Sequence, residues 1–252
     1  MSATKTETVK YVYGVVAAAG AAPPAGHGID DAPVEVLAGD GVAALTSDVA
    51  GDFLEAGRDE LLTHSRVLEE AMERAVVLPM RFGVVLPDEE TVRERLLDRH
   101  REELEAQLQA MAGKVEVTIK GIYDEAAILR ETIAEHRDIA RLRDEIKDKP
   151  EEATYYLRIE LGELVAAALD EKRATAAPAI VDRLAPLAFD VAVGEPVHER
   201  MAVNASFLVE RDRLGEFDRE VDRIGAEQAG RIQLKYTGPL PPHSFVELGV
   251  GG

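Results

Sequence analysis

Lys114-Val-Glu-Val-Thr-Ile-Lys120 alternates polar and apolar residues strictly, the period of a strand with one buried face. Downstream, Asp124–Lys149 reads as helical and is stopped by Pro150. A long helix then carries Leu157, Leu161, Leu164, Val165 and Ala168 on one face, with Pro178 expected to kink or restart it near Thr175–Ala177. Leu187–Val193 is a strand, Gly194–His198 a turn, and Met201, Val203, Ala205, Phe207 and Val209 alternate as another strand. Asp212–Glu227 is a helix with Leu214, Phe217, Val221 and Ile224 inward, and Ile232, Leu234 and Tyr236 mark a last strand. The order from residue 114 is therefore β, α (broken), β, β, α, β. That is the order of a ferredoxin-like antiparallel sheet with helices on one face.

Upstream, Tyr11-Val-Tyr-Gly-Val-Val16 is aromatic and β-branched and reads as a strand, while Ala17–Pro33, rich in Ala, Gly and Pro, reads as a loop. Val34–Leu37 and Val42–Ser47 flank Ala-Gly-Asp-Gly, a hairpin signal. A helix follows from about Gly57 to Val77, its expected inward stripe being Leu61, Ser65, Leu68, Met72 and Val76. Leu78–Val85 is a short extended piece. After Pro87, the acids Asp88, Glu89 and Glu90 suit the positive end of a second helix, with the stripe Val92, Leu96, His100, Leu104, Leu108 and Met111 and Gly113 as its cap. The fold class expected is α+β in two domains. Residues 1–113 form a modified α+β relative of the ferredoxin-like domain, and residues 114–252 the ferredoxin-like one with a long helical insertion and a C-terminal tail.

The composition narrows the function. Of 252 residues 46% are hydrophobic, enough for a sizeable core. Cysteine is absent, which removes disulfides, thiolate metal sites and Cys nucleophiles and fits a reducing cytoplasm. The N-terminus shows no secretory signal, and runs such as Val165–Leu169 are far too short to span a bilayer. A net charge of −19 repels phosphate backbones and anionic lipid, so neither nucleic acid nor a lipid membrane is expected as a partner. The same charge, with helices to cover one face of each sheet, points to a monomer when the protein is isolated.

Catalytic signatures are missing. The histidines His27, His64, His100, His136, His198 and His243 show no metal-ligand spacing and read as scattered surface or rim residues. His100, on an apolar stripe between Arg99 and Arg101, reads as a partly buried imidazole at the seam between domains. No nucleophile elbow or phosphate loop is present. Gly26-His-Gly28 and Gly39-Asp-Gly41 are turn chemistry, and Asp88–Glu90 and Glu69-Glu70 are solvated faces. No enzyme, cofactor or metal is expected.

Two segments carry more information. Arg81-Phe82-Gly83 after Pro79 is either structural, with Arg81 pairing an acid and Phe82 in the core, or an exposed docking edge. Thr237-Gly-Pro239-Leu240-Pro241-Pro242, with His243 and Phe245 behind it, either pins the C-terminus to the N-terminal domain or presents a polyproline-like partner surface.

Taken in order, Tyr11–Val16, Leu78–Val85, Asn204-Ala-Ser-Phe-Leu-Val209 and Tyr236–Val246 resemble the gas vesicle F/L family over about residues 9 to 247. Leu240 stands where that family usually has an aromatic, and His243 where Tyr is common. The resemblance implies a non-enzymatic accessory or minor structural protein of gas vesicles, cytoplasmic and vesicle-associated. Its implied partners are the small apolar shell protein (GvpA-like) and other gas vesicle accessory proteins. The alternative is a small-ligand regulatory module on a ferredoxin-like sheet.

Overall fold

The computed structural model describes residues 8–51 and 57–247, which fall into two compact units. One comprises the chain through Glu116 together with the segment from Pro239 onward, and the other is Val117–Gly238. The reading of the first seven residues as free of a secretory signal lies outside the described residues.

In the first unit β1 (Thr8–Ala17) is the central strand, buried from Lys10 to Val16. It pairs antiparallel with β3 (Val42–Ala50), which pairs in turn with β2 (Glu35–Ala38) across the expected hairpin. On its other side lie β4 (Val77–Pro79) and β5 (Val85–Leu86), so the sheet order is β2-β3-β1-β4, with β5 also on β1. The register of β1 on β3 slips between Val12 and Gly14, a bulge at the point where the strand must pass close to β4. Gly14 is fixed by that approach: a Cβ there would lie 2.8 Å from the Leu78 carbonyl oxygen and 2.9 Å from Leu68 Cδ2.

Helix α1 (Arg58–Met72) buries His64, Val67, Leu68 and Ala71, the i, i+3, i+4, i+7 set. The expected stripe is thus rotated: Leu61 and Ser65 are exposed, and Val77 belongs to β4. The next helix is not continuous. It starts as α2 (Glu89–Thr91), capped by Asp88 accepting from the Thr91 N–H. It then widens into a π-helical segment, Val92–Asp98, closed by an Arg99 N–H to Glu94 carbonyl bond of 3.3 Å, and resumes as α3 (Arg101–Met111). The widened turn buries Leu96 and Leu97 together and leaves His100 at the break, partly covered and 3.5 Å from Glu103. Gly113 caps the end in the left-handed region, as expected.

The second unit's sheet has the order β7-β8-β6-β9, from β6 (Lys114–Tyr123), β7 (Asp190–Val193), β8 (Met201–Glu210) and β9 (Ile232–Leu240). The strands read from Val115–Lys120 and Ile232–Tyr236 are neighbours in it. Val117 and Ile119 of β6 with Val203, Ala205, Phe207 and Val209 of β8 present one apolar face. Onto that face pack α4 (Glu125–Glu135), α6 (Tyr155–Leu184) and α7 (Leu214–Glu227), through Ile128, Leu169, Ile180, Leu184, Phe217 and Ile224. Helix α5 (Arg137–Ile146) turns its Ile139, Leu142 and Ile146 inward.

Pro178 does not break α6, which runs unbroken for 30 residues. The ring is on the exposed side, where water can take the carbonyl that loses its N–H partner.

Candidate functional site

The segment singled out as Arg81-Phe82-Gly83 is held by a buried relay. Met80 N–H donates to the Tyr13 carbonyl at 2.8 Å, and Gly83 N–H donates to the Tyr11 hydroxyl at 3.1 Å. With its oxygen accepting from Gly83, Tyr11 gives its proton to His64 Nδ1, 2.9 Å away. His64 Nε2 then carries the remaining hydrogen and donates to the Met80 carbonyl at 3.2 Å. The relay fixes the tautomer, and it works only with a neutral imidazole. Burial pushes the His64 pKa down to about 4, opposed by the bond to Met80 and helped by the positive charge His243 can carry. Burial likewise raises the Tyr11 phenol well above its ordinary value.

Phe82 closes this cluster, its ring 6.0 Å from Tyr11 and 5.7 Å from His64, while Tyr13 stacks on His64 at 5.7 Å. Phe82 is therefore packed against the first unit's core. Arg81 is exposed, and no ion pair to an acid is seen for it among the described residues. Gly83 sits at φ +87°, a conformation that favours glycine.

A second relay fixes the long loop before β2. Ile29 N–H donates to the Tyr13 hydroxyl at 2.8 Å, Tyr13 donates to Ser47 Oγ at 3.1 Å, and Ser47 donates to the Pro33 carbonyl at 2.9 Å. A side chain at Gly28 would fall on the Tyr13 hydroxyl and within 2.5 Å of Ser47 Oγ. Beside it on β1, buried Lys10 meets Glu35 at 3.1 Å, Asp48 at 3.0 Å and Glu89 at 3.3 Å. Burial alone would lower its pKa, but the three carboxylates raise it above the ordinary value.

The C-terminal segment is tied down by a buried carboxylate. Pro239 and Leu240 end β9, Pro241 and Pro242 are buried, and Phe245 is half-buried. Bonds from His243 N–H to the Pro241 carbonyl (2.8 Å) and from Phe245 N–H to the Pro242 carbonyl (3.1 Å) fold the segment into tight turns. Ser244 then donates its N–H and its hydroxyl, both at 2.7 Å, to the two oxygens of Glu116, a residue only 3% exposed. Gln107 adds a bond of 2.9 Å to the Glu247 carbonyl. His243 itself is exposed and Leu240 half-buried.

What these groups offer is anchoring. Each polar atom of the two relays is spent on holding backbone, and among the described residues no three His, Asp or Glu side chains come together as a metal site. Two cavities in the second unit, of about 190 and 280 Å³, are small beside ordinary ligand pockets. Arg183, in the first, is committed to Glu220 and Glu227, and Arg173, in the second, to Asp170.

The family model described as gas vesicle synthesis protein GvpL/GvpF matches residues 9–247. The chain belongs to the GvpL/GvpF family. It is 38% identical over 241 residues to gas vesicle protein F of a Streptomyces species, covering 94% of this chain and 99% of that one. It is 31% identical to gas vesicle protein F of Dolichospermum flosaquae, covering 88% and 91%. The crystal structure of the gas vesicle protein GvpF from Anabaena sp. PCC7120 superposes with a TM-score of 0.77 at 28% identity, covering 96% of this chain and 99% of that one. GvpF from Microcystis aeruginosa gives 0.75 at 27% identity, covering 95% and 99%. These likenesses establish a GvpF-type α+β fold and a role in gas vesicle formation.

Of the residues singled out from sequence, Phe82 joins the relay cluster and the prolines join the tether, while Arg81 and His243 stay at the surface. His64, read from the sequence as a surface or rim histidine, is instead buried, and Lys10 and Glu116 were not singled out at all, although each of the three organises a buried network. For His64 a signal existed: it begins the apolar set completed by Val67, Leu68 and Ala71. No helix among the described residues is long and apolar enough to cross a membrane.

Proposed function

We propose that this GvpL/GvpF member is a non-enzymatic accessory or minor structural protein that binds the gas vesicle shell protein and other accessory proteins in the cytoplasm. The observation that carries the reading is the family match over nearly the whole chain. The physics supports the mode: the polar groups at the sites singled out are used to hold backbone, so affinity has to come from apolar anchors desolvated within a polar rim. Phe82 and the Pro239–Phe245 segment serve as structural supports in this reading, the second as a clamp through Glu116.

The division into two domains near Gly113 belongs to the same proposal. So does a ferredoxin-like second domain, supported by the strand order β7-β8-β6-β9. An isolated monomer follows from the charge of −19.

The test is deletion of the gene from its gas vesicle cluster. Loss of vesicles by electron microscopy, restored by the wild-type gene, supports the reading. A deletion strain with vesicles normal in number and shape contradicts it.

A further inference from the structure

Helix α6 opens with an apolar patch that no part of the described chain covers. Tyr155 is 60% exposed, Tyr156 82% and Ile159 44%. The two rings meet edge to face at 5.4 Å, so their positions are already set before any partner arrives. Ile159 lies one turn on, within reach of both. Single exposed apolar residues mean little, but three neighbouring positions on one helix face are informative.

The patch continues as a groove. A Cβ on Gly162 would have nothing within 4 Å, so the helix backbone there is open to close approach. Ala166, one further turn along, leads into the cavity of about 280 Å³ lined also by Leu169, Pro196 and Val197. From Tyr155 to Leu169 the helix rises about 20 Å, room for some four turns of a partner helix. Glu160 and Glu163 border this face, both exposed, and neither forms an ion pair among the described residues. Arg158 is engaged by Thr154 Oγ1 at 3.0 Å.

We propose that this face of α6 docks an amphipathic helix from another gas vesicle protein, apolar toward Tyr155, Tyr156 and Ile159 and basic where it passes Glu160 and Glu163. The inference rests on the binding role proposed above and gives it a surface and a partner chemistry. A helix fits because α6 offers side-chain ridges and a small-residue groove, with no free backbone edge to which a strand could add. A second copy does not fit. A two-fold pairing of α6 about this region would set Glu160 and Glu163 against the same acids, between chains that each carry −19.

The test uses the full-length chain, with each gas vesicle protein of its own gene cluster purified and immobilised in turn. Two double variants are compared with the wild type: Tyr156→Ser with Ile159→Ser, and Glu160→Lys with Glu163→Lys. Because all four residues are exposed, both variants should melt as the wild type does. The expected result is that at least one partner is bound by the wild type and loses at least tenfold in affinity with each pair, and that added salt weakens the wild-type complex. Unchanged affinity in both stable variants overturns the docking face while leaving the binding role intact. A wild type that binds none of the proteins removes the binding role and the docking face with it. A wild-type dimer broken by either pair assigns the face to a second copy and overturns the proposal.

Discussion

Acid should loosen the first unit through His64 well before the carboxylates titrate. In the folded chain burial holds the His64 pKa down to about 4, against 6.5 in the unfolded chain. Between those values the unfolded state binds the extra proton, so stability falls as pH falls. The contribution is intact above about pH 6.5 and is lost as pH drops toward 4. At about 1.4 kcal/mol per pH unit, the full interval amounts to a loss on the order of 3 kcal/mol, with about 2 kcal/mol gone by pH 5. Carboxylates act lower: Glu70, with Arg66 beside it, is held below the usual carboxylate range and loses its contribution only as pH falls through that range. Burial lowers the His243 pKa and its positive charge acts on His64, so His243→Asn is the companion control. The assay is urea unfolding from pH 7.5 to 5, followed by near-ultraviolet circular dichroism of the buried tyrosines. His64→Gln can still donate to Met80 but lacks the titrating ring. It should be less stable by about 1–2 kcal/mol at pH 7.5 and clearly flatter with pH. If wild type and His64→Gln decline in parallel from pH 7 to 5, the buried neutral imidazole is the wrong account.

Three further outcomes follow from the same geometry. Gly14→Ala forces a methyl to 2.8 Å from the Leu78 carbonyl oxygen and should cost about 1–3 kcal/mol, read from a lowered urea midpoint. Glu116→Ala removes both acceptors of Ser244 and should raise hydrogen exchange at Ser244–Glu247 while the rest of the chain keeps its protection. Lys10→Met leaves Glu35 and Asp48 without the cation between them, and Glu89 with only Arg93, 3.6 Å away. Because those carboxylates are about half exposed, the loss should be about 1–3 kcal/mol at neutral pH and smaller at pH 4, by urea melts at both.

Much of the fold was legible because strands and helices announce themselves by period. Alternation located β6, β8 and the start of β9, and Phe217, Val221 and Ile224 marked the inner face of α7. The errors arose where local pattern was ambiguous. In α1, Leu61 and Leu62 outweighed a histidine in any apolar count, yet His64 is the buried member, because Tyr11 and Met80 supply its partners from far along the chain. The π-helical turn left the apolar spacing of Val92, Leu96 and Leu104 nearly unchanged and so gave no warning. Lys10 and Glu116 look like ordinary outward residues of their strands. Their burial depends on Glu35, Asp48, Glu89 and Ser244, which only the tertiary fold brings near.

Direct association with the shell protein is the central claim. The measurement is co-elution on size exclusion of the tagged full-length chain with the shell protein co-expressed from the same gene cluster. Our reading predicts that the shell protein travels with the chain at moderate salt, in a fraction distinct from the free monomer. A chain that elutes alone, folded and monomeric, while the shell protein is present and soluble, would contradict it.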